Sequence, residues 1–496
     1  MPPANSLAQL KLCNSFASLS PHFYTRLQPQ GLNNPRLLHA NDAAAALIGL
    51  APQAMHTDEF LQVMSGRAPL PGGDTLAAVY SGHQFGIWAG QLGDGRAHLL
   101  GEVCGPQGNW ELQLKGAGLT PYSRMGDGRA VLRSSVREYL ASEAMAGLGI
   151  PTTRALALVV SDDPVMRETV ETAAIVTRMA PSFVRFGSFE HWWAARRPDL
   201  LQELTDYVIN HFYPACRGDA DPRQPASAEA VLALLREVTA RTARLMAAWQ
   251  CVGFSHGVMN TDNMSILGLT LDYGPYGFMD AFKLNHVCNH SDSQGRYAWN
   301  QQPTIALWNL YKLASSLNLL IQDADAAKAI LDGYQGIFMQ SFHEGMAAKL
   351  GLPAWTAEDE PLLDDLLKLM HDQSADFTLA FRRLADAVRG NQDLFLELFR
   401  DRAAAEAWLQ RLHQRHAGAP MPPETRAAAM DRVNPLYVLR NHLAEQAIVA
   451  ARRGDASEID TLMQVLRSPY EARPEWARFA ALPPDWARSL EVSCSS

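Results

Sequence analysis

The texture of the chain changes once, near residue 189. From 76 to 179 short apolar runs alternate with glycine turns, and beyond that helical periodicity dominates. Ile87-Trp88-Ala89-Gly90, Ala97-His98-Leu99-Leu100-Gly101-Glu102-Val103, Trp110-Glu111-Leu112-Gln113-Leu114-Lys115, Ala155-Leu156-Ala157-Leu158-Val159-Val160 and Ala173-Ala174-Ile175-Val176-Thr177-Arg178 read as strands of a mostly antiparallel sheet. One helix interrupts them. Val136, Tyr139, Leu140 and Met145 recur at helical spacing, Ser134 or Ser135 serves as cap, Glu138 falls in the first turn, and Gly147-Leu148-Gly149 with Pro151 stops it. Helices are expected at 200–212, 227–252, 304–321, 326–350, 361–388, 392–412, 435–451 and 458–466, with 264–271 as a strand-like exception. The fold class is therefore α+β. Residues 1–72, closing in Arg67-Ala68-Pro69-Leu70-Pro71-Gly72-Gly73, read as an N-terminal extension packed on the core. The remaining divisions are 73–186, mainly strands; 187–416, mainly helices; and 417–496, a C-terminal helical region and tail behind a linker candidate at 418–423.

Charge narrows the partners. The chain has 496 residues with 43 basic against 52 acidic side chains, net -9, so no global basic field exists to hold a nucleic-acid backbone or an anionic membrane. No apolar run reaches the length of a membrane span, and the first residues have neither secretory-signal nor transit-peptide character, so a cytoplasmic location is expected. The six cysteines include no Cys-x-x-Cys pair, which argues against a zinc framework or a disulfide scaffold, and most are expected to be plain buried thiols. Cys494 differs, because Ser493-Cys494-Ser495-Ser496 is too polar and too terminal to be core.

The chemistry concentrates in a few places. His256-Gly257-Val258-Met259-Asn260-Thr261-Asp262-Asn263, followed by Asp272-Tyr273-Gly274, matches the protein-kinase catalytic and metal loops, except that Val258 fills the place of the catalytic Asp. Valine cannot accept a proton. Asn263 and Asp272 remain as oxygen ligands of the kind Mg2+ takes beside nucleotide phosphates, and Asp262 is the best remaining general base. His256 reads as a brace for the loop. Lys115, at the end of a strand, and Glu138, in the following helix, match a strand lysine and helix glutamate that pair over nucleotide phosphates.

Gly93-Asp94-Gly95-Arg96 and Gly126-Asp127-Gly128-Arg129 each fit a plain turn as well as a backbone surface for phosphate or ribose. Arg178 and Arg185 fit a phosphate clamp or two solvated charges near a hinge. Asn285-His286-Val287-Cys288-Asn289-His290-Ser291-Asp292 lacks the second ligand cluster a zinc site needs, and lies where a kinase has its activation loop.

Across nearly its whole length the chain resembles the SelO (selenoprotein O, YdiU) family of protein adenylyltransferases, which have a pseudokinase fold. The resemblance is carried by Tyr80-Ser81-Gly82-His83-Gln84-Phe85-Gly86, Leu114-Lys115-Gly116-Ala117-Gly118, Thr120-Pro121-Tyr122-Ser123-Arg124, the 256–265 stretch, Asp272-Tyr273-Gly274-Pro275 and Cys288-Asn289-His290-Ser291-Asp292. It implies a bilobal protein-kinase-like fold, with an antiparallel sheet and one key helix in the first lobe and a mainly helical second lobe. It also implies transfer of AMP from ATP to Ser, Thr or Tyr hydroxyls of proteins, with Mg2+ or Mn2+ and ATP reversed relative to kinases. By the same resemblance Gly93, Gly95, Arg96, Lys115, Asp127, Gly128, Arg178 and Arg185 hold the nucleotide, supported by Glu138. Asn263 and Asp272 hold metal, Asp262 is the base, and Cys288 and Cys494 form a redox-sensitive pair. The expected partners are ATP and acceptor proteins, with no nucleic acid and no membrane, and the chain is expected to act as a monomer. Transfer of UMP from UTP with Mn2+, ordinary phosphotransfer and a non-catalytic ATP-binding scaffold are the alternatives.

Overall fold

The alternation in Trp110–Lys115 decides how the sheet is faced. In the computed structural model, which describes residues 2–418 and 421–493, Leu112 and Leu114 enter one apolar core while Glu111, Gln113 and Lys115 point to the opposite face. That strand lies near the middle of a nine-stranded sheet. In chain order its strands are β1 (Tyr24–Arg26), β2 (Arg36–Ala40), β3 (Leu76–Gln84), β4 (Ile87–Gly93), β5 (Ala97–Gly105), β6 (Gly108–Lys115), β7 (Ala130–Val131), β8 (Arg154–Met166) and β9 (Val170–Ala180). The order across the sheet is β1-β3-β5-β6-β9-β8-β2, with β4 paired to β3 and β7 to β9. All these pairings are antiparallel.

The N-terminal extension is more than a packed accessory. It supplies β1 and β2, at the two ends of that order, and carries α1 (Asp42–Leu47) and α2 (Asp58–Met64), whose apolar residues cover the Leu112–Leu114 face. Cys13 and Cys104 are joined in a disulfide, with Cα atoms 5.9 Å apart, which corrects the expectation of plain thiols for those two; Cys216 and Cys251 are free. The expected boundary at 72 therefore cuts through shared hydrogen bonding.

Helix α3 (Leu132–Gly147) lies on the other face of the sheet. It starts earlier than expected and has Val131 at its N-cap, because β7 feeds directly into it; Ser134 donates 3.2 Å to the Val131 carbonyl rather than capping. After β9 come α4 (Phe186–Ala194), α5 (Pro198–Phe212) and α6 (Ala228–Cys251), then the small hairpin of β10 (Phe254–Ser255) and β11 (Gly277–Phe278). The remaining helices are α7 (Gln302–Ile321), α8 (Ala324–Asp332), α9 (Tyr334–Lys349), α10 (Glu360–Gln373), α11 (Phe377–Val388), α12 (Asp393–Leu396), α13 (Arg402–Ala417), α14 (Pro423–Asp431), α15 (Asn441–Ala451) and α16 (Ser457–Arg467).

Three long helical stretches expected from periodicity are broken. The stretch 326–350 divides at Gly333; the stretch 361–388 divides where Ser374 turns left-handed (φ 56°) and the Asp376 side chain caps α11. The stretch 392–412 divides before Asp401, which caps α13. The last-but-one helix begins at Asn441 rather than 435, and 418–423 leads into the unanticipated α14, with residues 419 and 420 outside the described ones. The stretch 264–271 is no strand: Gly268 turns it (φ 71°), and only Ser265 and Thr270 make single bridges, to Arg185 and Thr152. Helices α15 and α16 pack back against α3, and Arg467 of α16 donates 2.5 Å to the Asn41 side chain in the extension. Among the described residues no helix is long and apolar enough to cross a membrane.

Candidate active site

A cleft of about 890 Å3 opens between the polar face of β6 and the loop around 258–275. Its walls include Gly93, Gly95, Arg96, Lys115, Asp127, Gly128, Arg178, Asp262, Asn263 and Asp272. Residues spread over 180 positions of sequence thus meet in one place.

The ladder explains part of this convergence. Gln113 on β6 is the cross-strand partner of Arg178 on β9, so the two side chains share a face and hydrogen-bond, Arg178 donating to Gln113 Oε1. Gln113 in turn donates 3.2 Å to Asp94 Oδ2, which also accepts the Ala78 N–H at 3.0 Å. Asp94 thereby anchors the glycine loop that follows β4. Gly93 at φ 150° has no room for a side chain, since a Cβ would lie 2.5 Å from the Tyr122 ring, and Thr120 donates to the Asp94 carbonyl.

The charged centre is a network around Asp272. Lys115 Nζ lies 2.7 Å from Glu138 Oε2 and 3.6 Å from Asp272 Oδ1. Arg178 bridges Glu138 Oε1 at 3.0 Å and Asp272 Oδ1 at 2.5 Å, and Arg185 donates 2.6 Å to Asp272 Oδ2. Burial opposes ionisation of Asp272, but Arg185, Arg178 and Lys115 together hold its carboxyl well below the usual range. Burial pulls the Lys115 ammonium down, with Glu138 opposing. Arg96 differs from these: it lines the cleft, and no carboxylate lies within 4 Å of it among the described residues. Burial lowers its pKa. It is the cation with most to gain from an incoming phosphate.

Arg185 does not line the cleft. Its guanidinium sits behind Asp272, over the Tyr80 ring at 4.6 Å, and also donates 2.8 Å to the Asp262 carbonyl. Asp127, half exposed, is paired with Arg167 of the β8–β9 hairpin at 2.7 Å and accepts the Arg129 N–H, so the second Gly-Asp-Gly-Arg forms a rim tied to that hairpin. Gly128 (φ 71°) lies so close to Gly118 that a Cβ would fall 2.2 Å from its carbonyl carbon.

On the opposite wall, His256 is fully buried, stacked on Trp249, and hydrogen-bonded at Nε2 to the Leu271 carbonyl at 2.8 Å. It braces the segment that presents Asp272, as expected. Asn263 donates 3.0 Å to the Val258 carbonyl, which fixes its amide and leaves Oδ1 for another partner. Asp262 is buried; Gln84 of β3 donates 3.1 Å to its Oδ2, while Oδ1 has no hydrogen-bond partner among the described residues. Burial raises this carboxyl to about 6. Oδ1 packs against Gly82, where a Cβ would come within 2.8 Å of it.

Gln84, Gln113, Asp94 and Tyr80 had no side-chain role assigned from sequence, although the stretches around Tyr80 and Asp94 stood out. Neutral amides and tyrosines carry no charge signature, an aspartate between glycines looks like a turn residue, and the roles of all four depend on strand register. Cys288 packs beside the same loop and donates to the Pro275 carbonyl at 2.9 Å. Cys494 lies outside the described residues, so the expected pairing with it does too.

The family model described as Protein adenylyltransferase SelO matches residues 6–467. The chain belongs to the SelO family. Its SelO-family relatives include the Protein nucleotidyltransferase YdiU of Bordetella petrii, 71% identical over 99% of this chain and 100% of the relative. The proteins of the same name from Bordetella avium and Dechloromonas aromatica are 70% and 52% identical, over 99% and 97% of this chain and the same shares of their own. This SelO-family chain is an enzyme of the nucleotidyltransferase class.

Proposed function

We propose that this enzyme transfers AMP from ATP to Ser, Thr or Tyr hydroxyls of proteins, within a two-lobed kinase-like framework that binds ATP in the reverse sense. The observation that carries this reading is the pair Val258 and Asp262. The kinase base position holds a valine, while Asp262, a buried carboxylate whose Oδ2 accepts from Gln84, lines the same cleft as Lys115 and Asp272. An acceptor hydroxyl entering the cleft would donate to this carboxylate. Its oxygen attacks the α-phosphorus, the bond to the bridging oxygen of the β-phosphate breaks, pyrophosphate leaves, and the hydroxyl proton passes to Asp262.

The reversed orientation is supported by where the cations lie. Lys115 and Arg178 sit at the base of the cleft and Arg96 on its glycine-loop wall, a setting suited to terminal phosphates that depart as pyrophosphate. The kinase-like framework is supported by the Lys115–Glu138 pair joining a sheet strand to α3.

Asn263 Oδ1 and the Asp272 carboxylate fit Mg2+ or Mn2+, being hard oxygens on the cleft wall. No group of three or more His, Cys, Asp or Glu forms a protein-only cage among the described residues, so phosphates and water would complete the shell. Bound there, the cation would neutralise phosphate charge as it develops.

ATP labelled at the α or the γ position tests the reading. Label retained on protein from the α position alone is expected. Retention from the γ position would make the enzyme a kinase, and retention from neither a scaffold. Asp262→Asn should lower kcat by roughly 10^2 to 10^4-fold with nucleotide affinity kept.

A further inference from the structure

The β3–β4 turn faces two ways. Gln84 and Phe85 line the cleft, and Gln84 holds Asp262; His83 and Trp88 line a separate open groove of about 660 Å3. Neighbouring residues of a strand point to opposite sides, so His83 and Gln84 place the groove back to back with the carboxylate.

This groove is apolar and aromatic in an unusual degree for a surface. Trp88, Trp193 and Leu319 line it while remaining 38%, 40% and 39% exposed, and Ile87 beside it is 74% exposed. One cation lies in it and two lie near it, behind His83. Arg196 lines the groove, exposed just past the end of α4, and its neighbour Arg197 has taken Asp199. Arg296 and Lys312 both lie 4.8 Å from the ring of Trp308, which packs edge-on against His83, which in turn packs against Trp88. Among the described residues no carboxylate lies within 4 Å of the side-chain nitrogens of Arg196, Arg296 or Lys312, although Asp292 accepts the Arg296 backbone N–H at 3.0 Å. Glu190, buried behind His83, is engaged with it at 2.6 Å. On a chain of net charge -9 this is a local reversal of sign.

We propose that this groove docks the acceptor protein, through a segment that places an aromatic or large aliphatic side chain between Trp88 and Trp193 and acidic residues against Arg196, Arg296 and Lys312. Exposed tryptophan and arginine together are the side chains that most often dominate binding at an interface. The acid-bearing segment supplies the anions that these cations lack, and the shared turn carries its continuation past Phe85 toward Asp262. The role as an acceptor site rests on the protein-modifying reading above; the binding chemistry does not.

Fluorescence anisotropy on the full chain separates the two. The probe is a labelled synthetic peptide with one serine, one phenylalanine and flanking aspartates, set against versions with lysines for the aspartates or alanine for the phenylalanine. The acidic aromatic peptide should bind about tenfold or more tighter than either control. Trp88→Ala and Arg196→Glu should each remove most of that preference, while ATP affinity, read by a fluorescent ATP analogue, stays at the wild-type value and reports an intact fold. Equal binding of the three peptides, or a preference untouched by both substitutions, overturns the proposal. So does a chain that dimerises in sedimentation and loses the dimer in Trp88→Ala, which would give the groove to a second copy. Transfer of the α label is scored on its own: its absence with wild-type protein would sink the proposed reaction while leaving the binding result standing.

Discussion

At the scale of single residues, Asp272 is held by three cations, with Arg178 and Arg185 on its two oxygens and Lys115 near one of them. Removing one partner from a buried ion network leaves the others uncompensated, a cost on the order of 3–5 kcal/mol. Asp272→Ala should therefore abolish transfer and also lower the melting temperature. Full activity in that variant, measured at a temperature where circular dichroism shows it folded, would remove Asp272 from the site. Glu111 offers a test without catalysis. It lies on the polar face of β6, accepts the Phe183 N–H at 2.8 Å through one oxygen, and has no partner for the other among the described residues. Burial pushes its carboxyl up to about 8. In the folded chain the group keeps its proton where the unfolded chain has lost it, so this contribution is complete below about pH 4.5 and is lost as pH rises toward 8. Glu111→Gln should flatten that slope and gain a few kcal/mol above pH 8, read from urea midpoints across pH. An unchanged slope would show that Glu111 ionises normally.

At the scale of elements, α4 sets the position of Asp262. Gly187 in its first turn lies so close to β3 that a Cβ would fall 2.0 Å from the Ser81 carbonyl oxygen and 3.3 Å from Asp262 Cα. Gly187→Ala must push α4, β3 and the 261–263 turn apart. A loss of about 2 kcal/mol or more, typical of overpacking, should come with a drop in kcat larger than the change in ATP affinity. Wild-type kcat would show that the turn is positioned by something else. This dependence also explains what was legible in the sequence. Lys115, Asp272 and the 256–263 stretch stood out because charge and spacing mark them, and strands β4, β5, β6, β8 and β9 because short apolar runs between glycines do. Gln113 and Gln84 did not, since what matters about them is the residue across the ladder or the carboxylate beneath. The broken helices were hidden for a similar reason. Asp376 and Asp401 look like surface acids until their caps are seen, and a periodic apolar stripe runs on through a cap that turns the chain.

At the scale of the whole molecule, the first 41 residues are structural members of the sheet. β1 and β2 pair with β3 and β8, and Leu7, Leu10 and Leu32 cover the apolar face of β6 together with α1 and α2. A chain beginning at residue 73 should expose that face and two strand edges, and elute from size exclusion as aggregate rather than as a folded species. A soluble, cooperatively melting product would show the extension to be dispensable. The other end of the chain is bound in as well. α15 and α16 lie on α3, which carries Glu138, and Arg467 reaches Asn41 beside β2. The helix that orients Lys115 is thus seated from both termini, and the order of synthesis acquires a meaning. A nascent chain still lacking α16 has every residue of the cleft wall already made, yet an incomplete seat for α3. Alignment of Lys115 with Glu138 therefore waits on the last helices to be made, and a chain broken off early lacks it.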